Sequence, residues 1–153
     1  MMIRLGKMRG FVVAAAMSIA GVSGATAQTG TPIAVYKSPT CGCCSKWVEH
    51  LRASGFAPAA TNTSDMSAVK AKYHVPRAAE SCHTAIVGGY VIEGHVPAAD
   101  IRRLLKEKPA VIGLAAPGMP MGSPGMEGPV SQKYDVVSFD REGRTRVYAT
   151  HGG

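Results

Sequence analysis

Aromatic residues make up only 6% of this 153-residue sequence, and charged residues only 18%. The 17 lysines and arginines are scattered along the chain rather than gathered with aromatic residues into a stripe, which argues against a nucleic-acid interface. The apolar run at residues 11–24 is shorter than the roughly 18 to 20 residues that a helix needs to cross a bilayer. Neither nucleic-acid binding nor a transmembrane anchor is therefore expected.

The start of the chain also lacks acidic residues, although it carries three basic ones, Arg4, Lys7 and Arg9. The apolar run follows them, and Ala25-Thr26-Ala27 has the small-x-small pattern at which signal peptidase cleaves. This arrangement predicts a secretory signal peptide over residues 1–27 and export to the periplasm. Its removal would take the chain from 153 residues and a charge of +7 to 126 residues and a charge of +4, which suits one compact domain over residues 28–153.

Cysteine is scarce as well, but three of the four cysteines fall within Cys41-Gly42-Cys43-Cys44. Four cysteines in an exported protein usually form two structural disulfides. The adjacent Cys43 and Cys44 cannot both pair with distant cysteines, however, because only Cys82 lies outside the cluster. The cluster lies between a strand-like and a helix-like segment, and thiolates at a helix N-terminus are stabilised by the helix dipole and free backbone N–H groups. We therefore predict that the cluster is a chemical site.

The spacing of apolar and turn residues predicts an α/β fold. The predicted strands lie at residues 32–37, 56–62, 85–87 and 90–93, and the predicted helices lie at 45–53, 66–73 and 97–108. Gly88-Gly89 predicts a tight hairpin between the third and fourth strands. The order β-α-β-α-β-β-α favours a mixed sheet flanked by helices, with one parallel strand pair and one antiparallel hairpin.

The last third of the chain differs in composition. Residues 113–126 are rich in Gly, Pro and Met, which predicts a long loop that sustains neither a helix nor a central strand. Residues 134–139 and 145–150 have strand composition on either side of a turn, which predicts a C-terminal β-hairpin. Residues 151–153 are predicted to form a frayed end.

The pair Cys41 and Cys44 resembles the C-x-x-C motif of thioredoxin- and glutaredoxin-type domains, which also lies at a strand-to-helix turn. This resemblance implies a thioredoxin-like fold. In that fold, the residue that faces the cysteine pair is usually a cis-proline just before the third strand. Aligning residues 86–89 with the glutaredoxin strand and turn places His83 at about that position, and the missing proline departs from the redox family.

Several blocks of the sequence, in order, also resemble the CopG-like family of periplasmic metal-binding proteins, which began as a domain of unknown function and is associated with copper resistance. The matching blocks are residues 36–44, Ser81-Cys82-His83-Thr84, Glu93-Gly94-His95-Val96-Pro97 and residues 117–126. The resemblance extends over nearly the whole mature chain. It implies copper binding on a thioredoxin-like fold.

The candidate metal ligands are mostly sulfur atoms. Cysteine and methionine sulfur are soft donors that select Cu(I), whereas structural zinc prefers four closed Cys or His ligands with more open spacing. The predicted ligands are Cys41, Cys43, Cys44, Cys82, His83 and, from the loop, Met119, Met121 and Met126. This set is larger than one Cu(I) uses, so we expect bridging thiolates that hold more than one Cu(I). The sequence leaves two roles open for His95, that of a metal ligand and that of a packing residue at the start of a helix.

Three functions fit these residues. The leading hypothesis is a periplasmic protein that sequesters Cu(I) or hands it on, with copper ions and copper-handling or redox proteins as partners. The alternative is a thiol-disulfide or copper-linked oxidoreductase, in which Cys41 attacks a disulfide and Cys44 resolves it, or the thiols exchange electrons with copper. The third is an adaptor held by disulfides, without metal or catalysis. Cys43 separates the first two, because C-x-x-C redox chemistry does not need it.

Overall fold

A computed structural model describes residues 29–153, so the predicted signal peptide at 1–27 lies outside the described residues. The strands are β1 (Thr31–Lys37), β2 (Phe56–Asn62), β3 (His83–Val87), β4 (Tyr90–Glu93), β5 (Gly113–Ala115), β6 (Tyr134–Phe139) and β7 (Thr145–His151). The helices are α1 (Gly42–Ala53), α2 (Met66–Lys72) and α3 (Ala98–Glu107), and a short 3-10 turn spans Arg77–Ala79. The predicted α/β class and the order of its first seven elements are confirmed.

The seven strands form one mixed sheet in the order β2-β1-β3-β4-β5-β6-β7. β1 and β2 are parallel, β3 is antiparallel to both β1 and β4, and β6 and β7 form an antiparallel hairpin. The predicted parallel pair, central hairpin and C-terminal hairpin are therefore confirmed. Because β3 runs antiparallel to β1, with His83 opposite Lys37, the start of β3 lies beside the end of β1. The cysteine cluster follows that end of β1.

β5 corrects the prediction that residues 113–126 contain no central strand. It lies between β4 and β6, parallel to the first and antiparallel to the second. Leu114 and Ala115 are fully buried there. At Gly113 a Cβ atom would overlap the carbonyl oxygen of Val91, so glycine permits the close approach of the two strands. The amino-acid composition does not indicate this strand, because Leu114 and Ala115 form a very short apolar run that is flanked by turn-forming residues.

His151 corrects part of a second prediction, that residues 151–153 fray. His151 is the last residue of β7 and pairs with Tyr134 of β6. Its Nε2 atom lies 2.6 Å from Oδ2 of Asp100, a largely buried residue in the first turn of α3. The C-terminal hairpin is thereby attached to α3 as well as to the sheet.

The apolar core fixes α1 against the sheet. Trp47 and Leu51 of α1 are fully buried with Val35 of β1 and with Ile101 of α3. The indole Nε1–H of Trp47 donates a hydrogen bond to the carbonyl oxygen of Val96 at 2.9 Å. Full burial of each large apolar side chain contributes about 1.5–3 kcal/mol to the stability of the fold. Because Trp47 and Leu51 anchor the later turns of α1 in the core, they also fix the position of its first turn. None of the helices in residues 29–153 combines the length and apolar character needed to cross a bilayer.

Candidate metal centre

The cysteine cluster forms the first turn of α1. Cys41 is the N-cap residue, and its Sγ accepts a hydrogen bond from the backbone N–H of Cys44 at 3.3 Å. A disulfide joins Cys41 to Cys44, while Cys43 is a free cysteine whose Sγ lies 3.5 Å from that of Cys41. Cys44 is fully buried, whereas Cys41 and Cys43 are partly exposed. The two cysteines of the C-x-x-C motif are therefore the pair that the fold joins, and Cys41 is its accessible member.

The fourth cysteine reaches the cluster from the start of β3. Cys82 immediately precedes β3, and its thiol is free and partly exposed. The Sγ atoms of Cys41, Cys43, Cys44 and Cys82 all lie within 4.8 Å of one another. The predicted convergence of the four cysteines is what the structure shows, and it follows from the pairing of β3 with β1.

Two histidines form a second group with Cys82. The predicted residue His83 places Nδ1 at 3.3 Å from the Cys82 Sγ, and His95 places Nε2 at 3.1 Å from the same atom. Ligand atoms of these three residues lie within 4.8 Å of one another. His83 thus shares a site with Cys82 and His95, and Cys82 belongs to both groups.

The carbonyl oxygen of Pro124 orients the His95 ring. It lies 2.8 Å from Nδ1, which must carry the proton to donate a hydrogen bond to a carbonyl. Nε2 is then left with its lone pair, facing the Cys82 sulfur. A hydrogen bond from the distal ring nitrogen to a carbonyl is the usual orientation of a metal-binding histidine. Of the two roles left open for His95, this geometry favours that of a ligand.

Burial shifts the ionisation of all three members of the second group. It lowers the pKa of His83 well below its usual value, with further lowering by the neighbouring His95 and Lys70. It also lowers the pKa of His95, against the opposing effect of the Pro124 carbonyl. Burial, together with the smaller effect of the nearby Cys43, raises the pKa of the Cys82 thiol to about 11. The imidazoles are therefore neutral and free to donate lone pairs, and a metal would displace the Cys82 proton.

Residues 117–127, which we call the closing loop, pack against both groups. Gly118 donates its backbone N–H to the carbonyl oxygen of Glu80 at 3.0 Å and accepts a hydrogen bond from the Ser81 hydroxyl. Gly125 lies against the first turn of α1 so closely that a Cβ atom would be 2.8 Å from the Cys43 carbonyl oxygen and from the Trp47 nitrogen. The loop therefore lies against the residues on both sides of the cysteine cluster.

The three predicted methionine ligands belong to this loop. Met119 is 54% exposed, whereas Met121 and Met126 are partly buried. The backbone around them is ordered by hydrogen bonds, including Gly122 N–H to the Met126 carbonyl oxygen at 2.9 Å. The structure thus places the methionines on a loop that packs beside the site, and their role as ligands stays a prediction.

The donor set fits a soft metal ion. It consists of four sulfur atoms and two imidazoles, and no carboxylate belongs to either group in the described residues. Within residues 29–153, the Nε2 atom of His83 is the buried side-chain nitrogen or oxygen that has no hydrogen-bond partner. An unpaired buried polar atom costs free energy, which a bound metal or water would recover. The predicted copper chemistry is therefore compatible with the residues present.

Sequence reasoning missed one feature beside the site, the buried ion pair between Lys70 of α2 and Glu93 of β4. The sequence places Lys70 in a predicted helix, and Glu93 in a predicted strand and in a block that resembles the CopG-like family, but it indicates no role for either residue. A charged residue directly after Val91 and Ile92 in an apolar hairpin is the signal that could have identified Glu93 as buried and paired.

Comparisons with known proteins identify similar chains. Residues 79–126 match the family described as "Protein of unknown function, DUF411". The solved structure "Copper resistance protein copG- Form 1" is 46% identical, with a TM-score of 0.76, and the match covers 81% of this chain and 99% of that one. "Copper resistance protein copG- Form 2" matches with the same identity and TM-score over 80% of this chain and 98% of that one. No curated protein matches the sequence.

Proposed function

Because this chain belongs to the family of the copper resistance protein CopG, we propose that it binds copper as its cargo and acts in copper resistance or copper handling. The observation that carries the proposal is the convergence of four cysteine sulfurs within 4.8 Å of one another. In the reduced chain these are four soft donors, which favour Cu(I) over harder ions. The predicted signal peptide supports a periplasmic location.

The sharing of Cys82 supports binding of more than one copper ion. Its sulfur lies within 4.8 Å of the three other cysteine sulfurs and also within 4.8 Å of a ring nitrogen of His83 and of His95. A thiolate has several lone pairs and can bridge two Cu(I) ions, so the two groups form one continuous site. Cys41, Cys43, Cys44 and Cys82 would hold copper through sulfur, and His83 and His95 would add nitrogen. Met119, Met121 and Met126 would supply further sulfur from the closing loop.

The Cys41–Cys44 disulfide links copper uptake to redox state. The thiolate is the metal-binding form of cysteine, so this disulfide withholds two of the four sulfurs. A dithiol partner protein would reduce it by thiol-disulfide exchange, in which the partner's two thiols are oxidised to a disulfide and their two protons and two electrons pass to Cys41 and Cys44. The full sulfur site would then be available.

The same disulfide favours a second candidate function, a copper-linked oxidoreductase. Oxidation of the Cys41 and Cys44 thiols to the disulfide releases two electrons and two protons, and two Cu(II) ions would each take one electron to become Cu(I). Disulfides of large protein substrates are less suitable, because the closing loop occupies the backbone of Glu80 and Ser81 beside the cluster. Copper is therefore the better-supported redox partner.

A Cys43→Ser variant separates copper binding from C-x-x-C chemistry. Serine keeps the shape of the turn and leaves the Cys41–Cys44 pair intact, but it removes a sulfur that lies 3.5 Å from Cys41. We expect Cu(I) affinity, measured anaerobically by competition with a chromophoric chelator, to fall, and the thiolate-to-Cu(I) absorption to weaken.

The matched variant is Cys41→Ser, which removes the accessible cysteine of the redox pair. If disulfide reduction survives Cys43→Ser and is lost in Cys41→Ser, while copper affinity is unchanged in both, the oxidoreductase replaces the copper-binding protein as the better account. If neither copper binding nor disulfide reduction responds to either change, the disulfide-held adaptor is favoured.

A further inference from the structure

Glu93 contacts the segment that carries Cys82 and His83 at both of its ends. Its carboxylate accepts a hydrogen bond from the backbone N–H of Ser81 at 2.7 Å and from the Thr84 hydroxyl at 2.6 Å. Ser81 precedes Cys82, and Thr84 follows His83. A single fully buried side chain therefore holds the residues on either side of the Cys82–His83 pair.

The residues that follow Glu93 contact the same segment. Gly94 donates its backbone N–H to the His83 carbonyl oxygen at 2.9 Å, and a Cβ atom at Gly94 would overlap the Ser81 side chain. His95 then places Nε2 at 3.1 Å from the Cys82 sulfur. Glu93 and the two residues that follow it thus fix the backbone of residues 81–84 and the thiol of Cys82.

Lys70 completes the arrangement from α2. Its ammonium group contacts Glu93 Oε1 and lies 3.5 Å from the Thr84 hydroxyl. Three donors therefore point at the Glu93 carboxylate, which suits an ionised acceptor. A buried ion pair of this kind adds little net stability, because the cost of desolvating both charges offsets their attraction. Stability alone is therefore a weak reason for this pair to lie beside the site.

We propose that Glu93 is a positioning residue of the metal centre: by holding Ser81 and Thr84, it keeps the Cys82 sulfur within reach of the cysteine cluster. This inference extends the proposed copper function, but its first test needs no metal. Outer-shell partners of metal ligands typically change metal affinity by about 10- to 100-fold when they are removed, because they orient the ligands. We expect Cu(I) affinity to fall by a similar factor when the Glu93 carboxylate is removed.

The test compares Lys70→Met with the double variant Lys70→Met/Glu93→Leu. Lys70→Met removes the charge partner but leaves Glu93 bound to Ser81 and Thr84. The double variant keeps the side-chain volumes and leaves no unpaired buried charge, but it removes the acceptor for the Ser81 N–H. A positioning role predicts that Lys70→Met retains the site and that the double variant loses it. A purely stabilising ion pair predicts instead that the double variant retains the site at least as well as Lys70→Met, because only the single variant leaves a buried charge unpaired.

The metal-free readout is the formation of a disulfide between the two free cysteines, Cys43 and Cys82. Diamide takes up the two electrons and two protons that the thiols release, and mass spectrometry of peptides measures the rate of bond formation. The rate should be close to wild type in Lys70→Met and lower in the double variant, because the Cys82 sulfur is no longer held within 4.8 Å of the Cys43 sulfur. Equal rates in all three proteins would overturn the inference.

The second readout is anaerobic Cu(I) affinity, which should fall by about 10- to 100-fold in the double variant only. If the wild-type chain binds no copper, the proposed function fails, and the diamide rates still decide the role of Glu93. Should the double variant not fold, Glu93→Asp replaces it, since the shorter side chain keeps the charge and withdraws the carboxylate from Ser81. A wild-type diamide rate in Glu93→Asp, with wild-type copper affinity, would count against the positioning role.

Discussion

Cys43 is the residue whose place in the fold distinguishes this site from a redox pair alone. Its neighbours Cys41 and Cys44 form the disulfide, and Cys43 remains a free, partly exposed thiol within reach of Cys82. A disulfide-exchange enzyme needs only the joined pair. The additional sulfur at the rim of the cluster is explained by a ligand that takes more than two sulfurs.

His95 provides a prediction at the same scale. His95→Asn keeps an N–H close to the position of Nδ1, so the hydrogen bond to the Pro124 carbonyl can persist, but it removes Nε2. We expect Cu(I) affinity to fall at least about tenfold, the lower bound found for partners that orient metal ligands. Competition with a chromophoric Cu(I) chelator under anaerobic conditions measures the change.

The matched control is His50→Asn. His50 is a partly buried histidine outside the site, and its Nε2 accepts the backbone N–H of Ala98 at the start of α3. Loss of this cap should lower the free energy of unfolding by about 1 kcal/mol and leave copper affinity unchanged. Equal copper affinity in His95→Asn and wild type would show that His95 only packs beside the site.

At the scale of secondary-structure elements, we predict that the closing loop restricts the access of protein disulfides to the cysteines. Gly125 has a φ of +85°, and a Cβ atom there would lie 2.8 Å from backbone atoms of Cys43 and Trp47. Gly125→Ala should therefore displace the closing loop from α1 and lower the free energy of unfolding by about 1–3 kcal/mol. We expect the variant to reduce protein disulfides faster than wild type, as measured by insulin turbidity with dithiothreitol as the electron donor.

Gly128→Ala is the control for this prediction. A Cβ atom at Gly128 would meet only the Cε atom of Met121, which is the end of a flexible side chain. Its stability and its activity toward insulin should match those of wild type. If Gly125→Ala and wild type reduce insulin at the same rate, the loop does not restrict access of protein disulfides.

The short strand β5 gives a prediction for the sheet. Gly113→Ala places a methyl group against the Val91 carbonyl oxygen, so pairing between β5 and β4 must be disturbed. The free energy of unfolding should fall by about 1–3 kcal/mol, the usual cost of overpacking. Urea unfolding measures it, with Gly42→Ala as the control, because that position has no atom within 4 Å of an added Cβ. An unchanged midpoint in Gly113→Ala would mean that β5 contributes little to the sheet.

Much of this fold was predictable from the sequence, because local signals and tertiary structure agree in the first half of the chain. The strand-like runs, the Gly88-Gly89 turn and the helical spacing around Trp47 each specify one element. β5 was missed since three residues carry too short a pattern, and the order at His151 depends on Asp100, 51 positions earlier. The thioredoxin-like assignment stays a prediction.

The candidate site was predictable in its four cysteines and His83, but not in the contacts that orient them. A cluster of cysteines indicates a reactive or metal-binding site whatever the fold. The fourth cysteine, Cys82, joins the cluster because it lies at the start of β3. The ring orientation of His95 depends on a carbonyl 29 positions away, and the contacts of Glu93 depend on α2. Contacts between residues so far apart produce no periodic pattern in a sequence. The roles of His95 and Glu93 therefore become visible only in the structure.

At the scale of the whole molecule, the fold places a disulfide-bonded cysteine pair and a candidate metal site in one domain. Reduction of the Cys41–Cys44 disulfide would raise the number of cysteine thiols available as donors from two to four. Copper capacity should therefore depend on the redox state of the chain. The predicted periplasmic location places both properties in an oxidising compartment, where a reducing partner would control copper uptake.

The most direct test is the amount of Cu(I) retained per chain after anaerobic loading and desalting, measured together with a count of free thiols. The reduced chain is predicted to retain more than one copper ion, with intense thiolate-to-Cu(I) absorption, and the chain with the Cys41–Cys44 disulfide is predicted to retain less. A plateau at one equivalent would contradict a bridged cluster. Retention of no copper, or equal retention after alkylation of all four cysteines, would contradict the sulfur site itself.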